Sequence, residues 1–243
     1  MGYPIEQIRE YSMEQRVDTY DVGPDSKLRF SALCRYCQEA SERHLESVDM
    51  GYTRMKREGL VFLIISNRAE IRRLPELGEE LILRTHPRGT MGASFYRDYE
   101  LWAGEELLVR VMQDSVSVDP ETHKLLRPKV FFSYGVFEDT RTPREERNVR
   151  IAEHPELPEI GRRPIRYSDI DYNRHLNNAV YADIAMDVVP DAWRERPYTG
   201  MQIDYVSEAL LGEELTLRGG ETENGYLVQG YHARGLSFSM LLR

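Results

Sequence analysis

Hydrophobic and polar positions change period several times along the 243-residue chain, and the order of those changes occurs twice. In EQRVDTYDV (14–22) they alternate, which predicts a strand. From Ser31 to Val48 the spacing lengthens. Leu33, Cys37, Ala40 and Val48 fall near one helical stripe, with Glu42, Arg43 and Glu46 mostly off it. LVFLIISNRAEI, EELILRTH, ASFYRDYELW and ELLVRVMQDSVSV follow as consecutive strands, with AGEE as a hairpin turn between the last two. The second half repeats the series. PIRYSDI reads as a strand; Val180, Tyr181, Ile184, Ala185 and Val188 make a helical stripe closed by Pro190. MQIDYVSEAL, EELTLRGGE, GYLVQGYHA and LSFSMLL are the strands after it.

The repetition reaches individual letters. GEELILR starts at Gly78 and GEELTLR at Gly212, agreeing at six of seven positions, which points to a duplicated unit. Aligning these copies sets Leu74 opposite Glu208. At the strand-to-helix junction VGPDSKLRF aligns with IDYNRHLNN, so Gly23, Asp25 and Lys27 stand opposite Asp171, Asn173 and His175. The first copy's extra residues fall after its helix, around DMGYTRMKREG. Between the copies EDTRTPREERNVRIAEHPELPEIGR is rich in charge and proline and poor in periodicity, as a surface linker is. The expected division is a first domain over 1–135, a linker over 136–160 and a second domain over 161–243.

Composition narrows the class. Hydrophobic residues at 41% and charged residues at 30% describe a soluble globular chain. A net charge of −9 argues against nonspecific nucleic-acid binding. Arg162, Arg163, Arg166 and Arg174 lie close in sequence, either as a solvated face or as a local patch for an anionic partner. Two cysteines, Cys34 and Cys37, are too few for a disulfide framework and point to a reducing interior. MGYPIEQIREYSMEQRV lacks the apolar core of a signal peptide, and no run approaches the roughly 18 apolar residues of a membrane span. The expectation is a cytoplasmic protein.

One stretch carries chemistry. In SDIDYNRHLNNAVY (168–181), Asp169, Asp171, Asn173 and His175 alternate with Ile170, Tyr172 and Arg174, so an extended segment projects the polar four to one side. It runs into a helix whose first turn leaves backbone N–H groups unpaired. A carboxylate, an amide and an imidazole there suit polarising a carbonyl and activating water. A calcium loop is a poor fit, because Arg174 stands where glycine is needed and Val180 where a bidentate glutamate is needed. Asn177 and Asn178 are most simply helix caps, and His175 alone reads equally as a structural histidine. Cys-Arg-Tyr-Cys (34–37) has redox spacing but lies inside the predicted helix, which favours packing. The other five histidines are scattered without ligand spacing, so neither a metal nor another cofactor is expected.

SDIDYNRHLNNAVY resembles the D-x-N-x-H-x-N-N signature of the acyl-acyl-carrier-protein thioesterases. KLRFSALCRYCQEASERH resembles that family's first helix, and GASFYRDYELW its RD-containing strand. The resemblance implies an α+β fold of two tandem hotdog domains, each an antiparallel sheet wrapped around a central helix. It also implies release of a free fatty acid from acyl carrier protein by thioester hydrolysis. Asp171, Asn173, His175 and, from IDYVSEA, Glu208 inherit the catalytic roles. The expected roles are carbonyl orientation by Asn173 and the helix-start N–H groups, activation of water by Asp171 or Glu208, and, for His175, holding the network or shuttling the proton. Two departures stand out. Ala209 replaces a cysteine found in plant members, and Val206–Ser207 replaces an arginine pair. The implied partner is an acyl carrier protein bearing a fatty acyl chain, with the chain a monomeric internal pseudo-dimer or a homodimer. The alternatives on the same fold are an acyl-CoA thioesterase and a noncatalytic acyl-thioester sensor.

Overall fold

The computed structural model describes residues 8–143, 145 and 147–243. Residues 1–7 of the stretch read for a leader, and Arg144 and Glu146 of the linker, lie outside them. The first copy builds β1 (Tyr11–Arg16), α1 (Phe30–Ser47), α2 (Tyr52–Arg57), β2 (Val61–Ile71), β3 (Glu80–Met91), β4 (Ser94–Ala103) and β5 (Glu106–Val118). A short α3 (Pro128–Phe132) opens the connection. The second copy builds β6 (Glu159–Pro164), α4 (Asn178–Val188), α5 (Asp191–Arg194), β7 (Gly200–Tyr205), β8 (Glu214–Thr222), β9 (Gly225–His232) and β10 (Gly235–Leu242).

All ten strands form one sheet in the order β1-β3-β4-β5-β2-β7-β10-β9-β8-β6. The halves meet where β2 pairs antiparallel with β7, with Asn67 opposite Ile203 and Ala69 opposite Met201. α1 and α4 pack against each other, and a single core joins them to inward side chains of both halves. Alanines 179, 182 and 185 are all buried on α4, and such small side chains let a neighbouring helix approach closely. On α1 the expected stripe of Leu33, Cys37 and Ala40 is buried. Each half is thus a helix wrapped by antiparallel strands, the tandem hotdog arrangement.

The doubled GEEL is a turn. Gly78 and Gly212 have φ of 84° and 85°, a left-handed conformation that glycine adopts without a Cβ clash. The next residue caps it: the Glu79 carboxylate accepts the Glu76 N–H at 3.0 Å, and that of Glu213 accepts the Leu210 N–H at 2.8 Å. The glycine amides donate to Val17 at 2.8 Å and Ile165 at 3.0 Å, tying each turn to the end of its copy's first strand. That tie also corrects two strand limits. The 14–22 strand ends at Arg16, and PIRYSDI is extended only to Pro164 before Tyr167–Asp169 coils into a 3₁₀ turn. The Asp169 carboxylate folds that segment back by accepting the Arg166 N–H at 2.8 Å and the Arg163 guanidinium at 2.8 Å.

Opposite the helices, residues 148–157 cross the sheet as a strap. Ile151 N–H donates to Asp204 Oδ2 (2.7 Å) and Gln202 Nε2 to the Val149 carbonyl (2.7 Å). His154 N–H donates to Gln229 Oε1 (2.8 Å). These bonds satisfy Gln202, Asp204 and Gln229, which are buried between strap and sheet. Asp114 shares that layer. Burial, then the charge of Asp204, pushes its pKa up to about 7, with Arg147 opposing. A carboxyl whose folded pKa is raised stabilises the fold fully below its unfolded pKa, and that contribution is lost as pH rises through about 7. Asp114→Asn is therefore expected to flatten the fall in thermal stability between about pH 4 and 7. An unchanged profile in a melting series would refute this.

Candidate active site

The segment leading into α4 is not extended but closes as a tight loop. Ile170 bridges Leu176, Asp171 N–H donates to the His175 carbonyl (3.0 Å), and Arg174 N–H to the Asp171 carbonyl (3.0 Å). Arg174 closes the turn at φ 70°. The expected row of four polar side chains is corrected accordingly. Asp169 is buried in its structural bonds, whereas Asp171, Asn173 and His175 are drawn together by the turn. Asp171 Oδ1 accepts the Asn173 N–H at 2.8 Å and lies 3.8 Å from His175 Nδ1; Asn173 Nδ2 is 3.5 Å from Asp171 Oδ2.

Glu208 reaches the same site from the segment that follows β7. His175 bridges Leu210, and Leu176 N–H donates to the Ala209 carbonyl at 2.8 Å, which zips the loop to the segment after β7. The Glu208 carbonyl is held by Arg234 at 2.7 Å. Its side chain is exposed and opens onto the cavity described below. At the helix start the two asparagines divide their roles. Asn177 caps α4 by accepting the Ala179 N–H at 2.9 Å, as expected. Asn178 lines the cavity instead, its carbonyl accepting the Tyr205 hydroxyl at 3.0 Å. Among the described residues nothing accepts from the Asn178 N–H, so it is a free donor at the positive end of α4.

Asp171, Asn173, His175 and Glu208 all line one cavity of about 970 Å³. The cavity extends into the first half, where Phe62, Phe95, Phe131, Phe132 and Phe137 contribute an aromatic wall. Phe62 and Phe95 meet edge to face at 5.0 Å, and Phe95 and Phe131 at 5.6 Å. Such rings offer broad apolar contact to a hydrocarbon chain.

The sequence reading missed Tyr52. Its hydroxyl donates to Asn173 Oδ1 at 2.6 Å, and its ring meets Tyr172 edge to face at 5.2 Å. With Oδ1 occupied, the Asn173 amide presents Nδ2 as its donating end. Tyr52 starts α2, inside the extra residues that only the first copy carries. Their position next to the first helix was a signal; what they face was not readable.

The matching loop of the first copy has the same backbone and none of the chemistry. Val22 bridges Leu28, Gly23 N–H donates to the Lys27 carbonyl (2.9 Å), and Ser26 takes the positive φ of 60°. Asp25 and Lys27 are exposed. The expected basic patch is partly spent within the fold, because Arg162 pairs with Glu159 and Glu214, and Arg163 with Asp169. Cys34 and Cys37 are buried, and burial pushes the Cys34 thiol up to about 12, so neither is a ready thiolate. Among the described residues no three His, Cys, Asp or Glu side chains are grouped to hold a metal ion. No helix among them is long and apolar enough to cross a membrane.

Two family models match the chain: the acyl-ACP thioesterase N-terminal domain over residues 9–129 and the C-terminal domain over residues 153–234. The chain belongs to the acyl-ACP thioesterase family. Its relatives include the chloroplastic dodecanoyl-[acyl-carrier-protein] hydrolase of Cinnamomum camphora, 23% identical over 237 residues. That match covers 88% of this chain and 61% of the relative, so the chain spans about three-fifths of the curated relative's length. The acyl-ACP thioesterase of Bacteroides thetaiotaomicron has the same fold, with a TM-score of 0.83 at 16% identity over 96% of each chain. The 12:0-ACP thioesterase of Umbellularia californica matches 96% of each chain at 20% identity with a TM-score of 0.80. The two acyl-ACP thioesterase domain models leave residues 130–152 unmatched between them, and the first half of the strap lies there.

Proposed function

We propose that the chain hydrolyses the thioester of a fatty acyl chain carried on acyl carrier protein, releasing the free acid. The observation that carries this reading is the meeting, in one cavity, of the Asp171–Asn173–His175–Glu208 cluster with an aromatic wall from the other half. The acyl chain lies along the first-half wall, with its carbonyl at the start of α4. Asn173 Nδ2 and the Asn178 N–H then donate to the carbonyl oxygen and to the oxyanion it becomes. Water adds to the carbonyl carbon while a carboxylate takes its proton. Glu208 fits that task better than Asp171, because Asp171 accepts from Asn173 while the Glu208 carboxylate has no hydrogen bond among the described residues. Collapse of the tetrahedral adduct breaks the C–S bond. The departing thiolate takes a proton, and a thiol with a pKa near about 8.5 leaves with little acid help. His175 beside Asp171 is suited to shuttle that proton.

In this reading residues 1–135 supply most of the acyl wall, 136–160 the linker that carries the strap and 161–243 the chemistry, with the protein acting in the cytoplasm on a carrier-protein partner. Turnover of acyl-carrier-protein thioesters over a ladder of chain lengths, with acyl-CoA as competitor, tests it. Hydrolysis of none of the ladder overturns it, and a preference for CoA replaces the partner. Tyr52 is a positioning residue in this scheme. Tyr52→Phe is expected to lower kcat about 10-fold with KM little changed, because the Asn173 amide loses its orientation. A purely structural Tyr52 would instead show lower thermal stability with kcat intact.

A further inference from the structure

The wall of the cavity is not apolar throughout. One side carries Gln38 and Glu42 of α1 and Arg97 of β4. Arg97 stands two residues after Phe95 and so on the same face of the strand. Its Nη1 donates to His44 Nδ1 (2.9 Å) and Thr85 Oγ1 (3.2 Å), and neither is an anion that neutralises it. Among the described residues no carboxylate makes an ion pair with this guanidinium. Glu42, lining the same cavity, feels its charge without pairing with it. Burial disfavours the ionised form of both groups, lowering the pKa of Arg97 and raising that of Glu42.

A saturated acyl chain offers neither group a further partner, and a charge only partly paired against hydrocarbon is costly. A keto oxygen accepts from Arg97 and gives Glu42 nothing. A chain-borne carboxylate is repelled by Glu42. A hydroxyl accepts from the guanidinium and donates to the carboxylate, so one group satisfies both. Its place along the chain follows from Glu42's neighbours. The backbone of Tyr52 lies close enough to the Glu42 carboxylate to oppose its rise in pKa, and the hydroxyl of the same tyrosine holds Asn173. Tyr172, next to Asp171, also feels the Glu42 charge. The polar pair therefore sits near the reacting carbonyl rather than at the far end of the chain.

We infer that the preferred substrate carries a hydroxyl close to the thioester, a 3-hydroxyacyl chain held between Arg97 and Glu42. This rests on the thioesterase reading of the same site. The test is kcat/KM of the wild-type protein on a 3-hydroxyacyl-carrier-protein thioester and on the unsubstituted thioester of equal length. The hydroxylated substrate is expected to be favoured roughly 10–100-fold, the range of one hydrogen bond to a charged group. Glu42→Leu should shrink that ratio by at least about 10-fold. Equal turnover, preference for the unsubstituted chain, or a ratio unmoved in Glu42→Leu overturns the inference. The wild-type comparison stands even if the variant does not fold. Hydrolysis of the unsubstituted chain alone defeats this inference and leaves the thioesterase reading intact, whereas hydrolysis of neither defeats both.

Discussion

Glu208→Gln is expected to lower kcat by roughly 10²–10⁴-fold on the best acyl-carrier-protein substrate, the usual contribution of a general base. Glutamine keeps the shape and a hydrogen-bonding oxygen but cannot take the proton from water. The loss should therefore fall on kcat rather than on KM. Asp171→Asn is expected to cost less. An asparagine oxygen at 171 still accepts the Asn173 N–H that Asp171 holds at 2.8 Å, so the loop keeps its turn. What is lost is the charge beside His175. Stopped-flow turnover of both variants, with thermal melts as the folding control, separates the roles. A larger loss at Asp171 exchanges them, and near-wild-type kcat in both folded variants would falsify the site.

The second large effect belongs to Asn173. Asn173→Ala is expected to reduce kcat about 10²–10³-fold, the size of one oxyanion donor. The same scaffold in the first copy supplies the control. Asp25→Ala and Lys27→Ala remove exposed side chains from a loop of matching backbone and should leave kcat within a few-fold. Titration with a non-hydrolysable acyl thioester should then count one site per chain. Two equivalent sites, or a large loss from the first-copy substitutions in a folded protein, would sink the division of labour between halves.

Much of this was legible in the chain because period and burial agree. The stripe of Leu33, Cys37 and Ala40 is the buried face of α1, and the GEEL copies mark a glycine turn with its glutamate cap. Where the reading failed, two local rules competed. In SDIDYNRHL strict alternation looks like a strand, yet Arg174 accepts a left-handed conformation and Asp169 folds the segment back, so a loop wins. PIRYSDI failed for the same reason. Tyr52 could not be placed, because its partner lies 121 positions away and long-range contacts leave no trace in period. Arg97 left a faint one: it shares strand parity with Phe95 and Tyr99, both buried, where a solvent-facing arginine would not stand.

The pairing of β2 with β7 has a consequence for how such a protein can change. In a hotdog dimer of two identical chains, every substitution appears at both helix starts, so neither can lose an asparagine unless both do. Here the two starts are separate stretches of one chain, and Lys27 can stand where its counterpart is His175. The same covalent link keeps the halves at a fixed local concentration however dilute the protein. A site assembled from both, with Tyr52 from one and Asn173 from the other, therefore does not come apart when the solution is thinned.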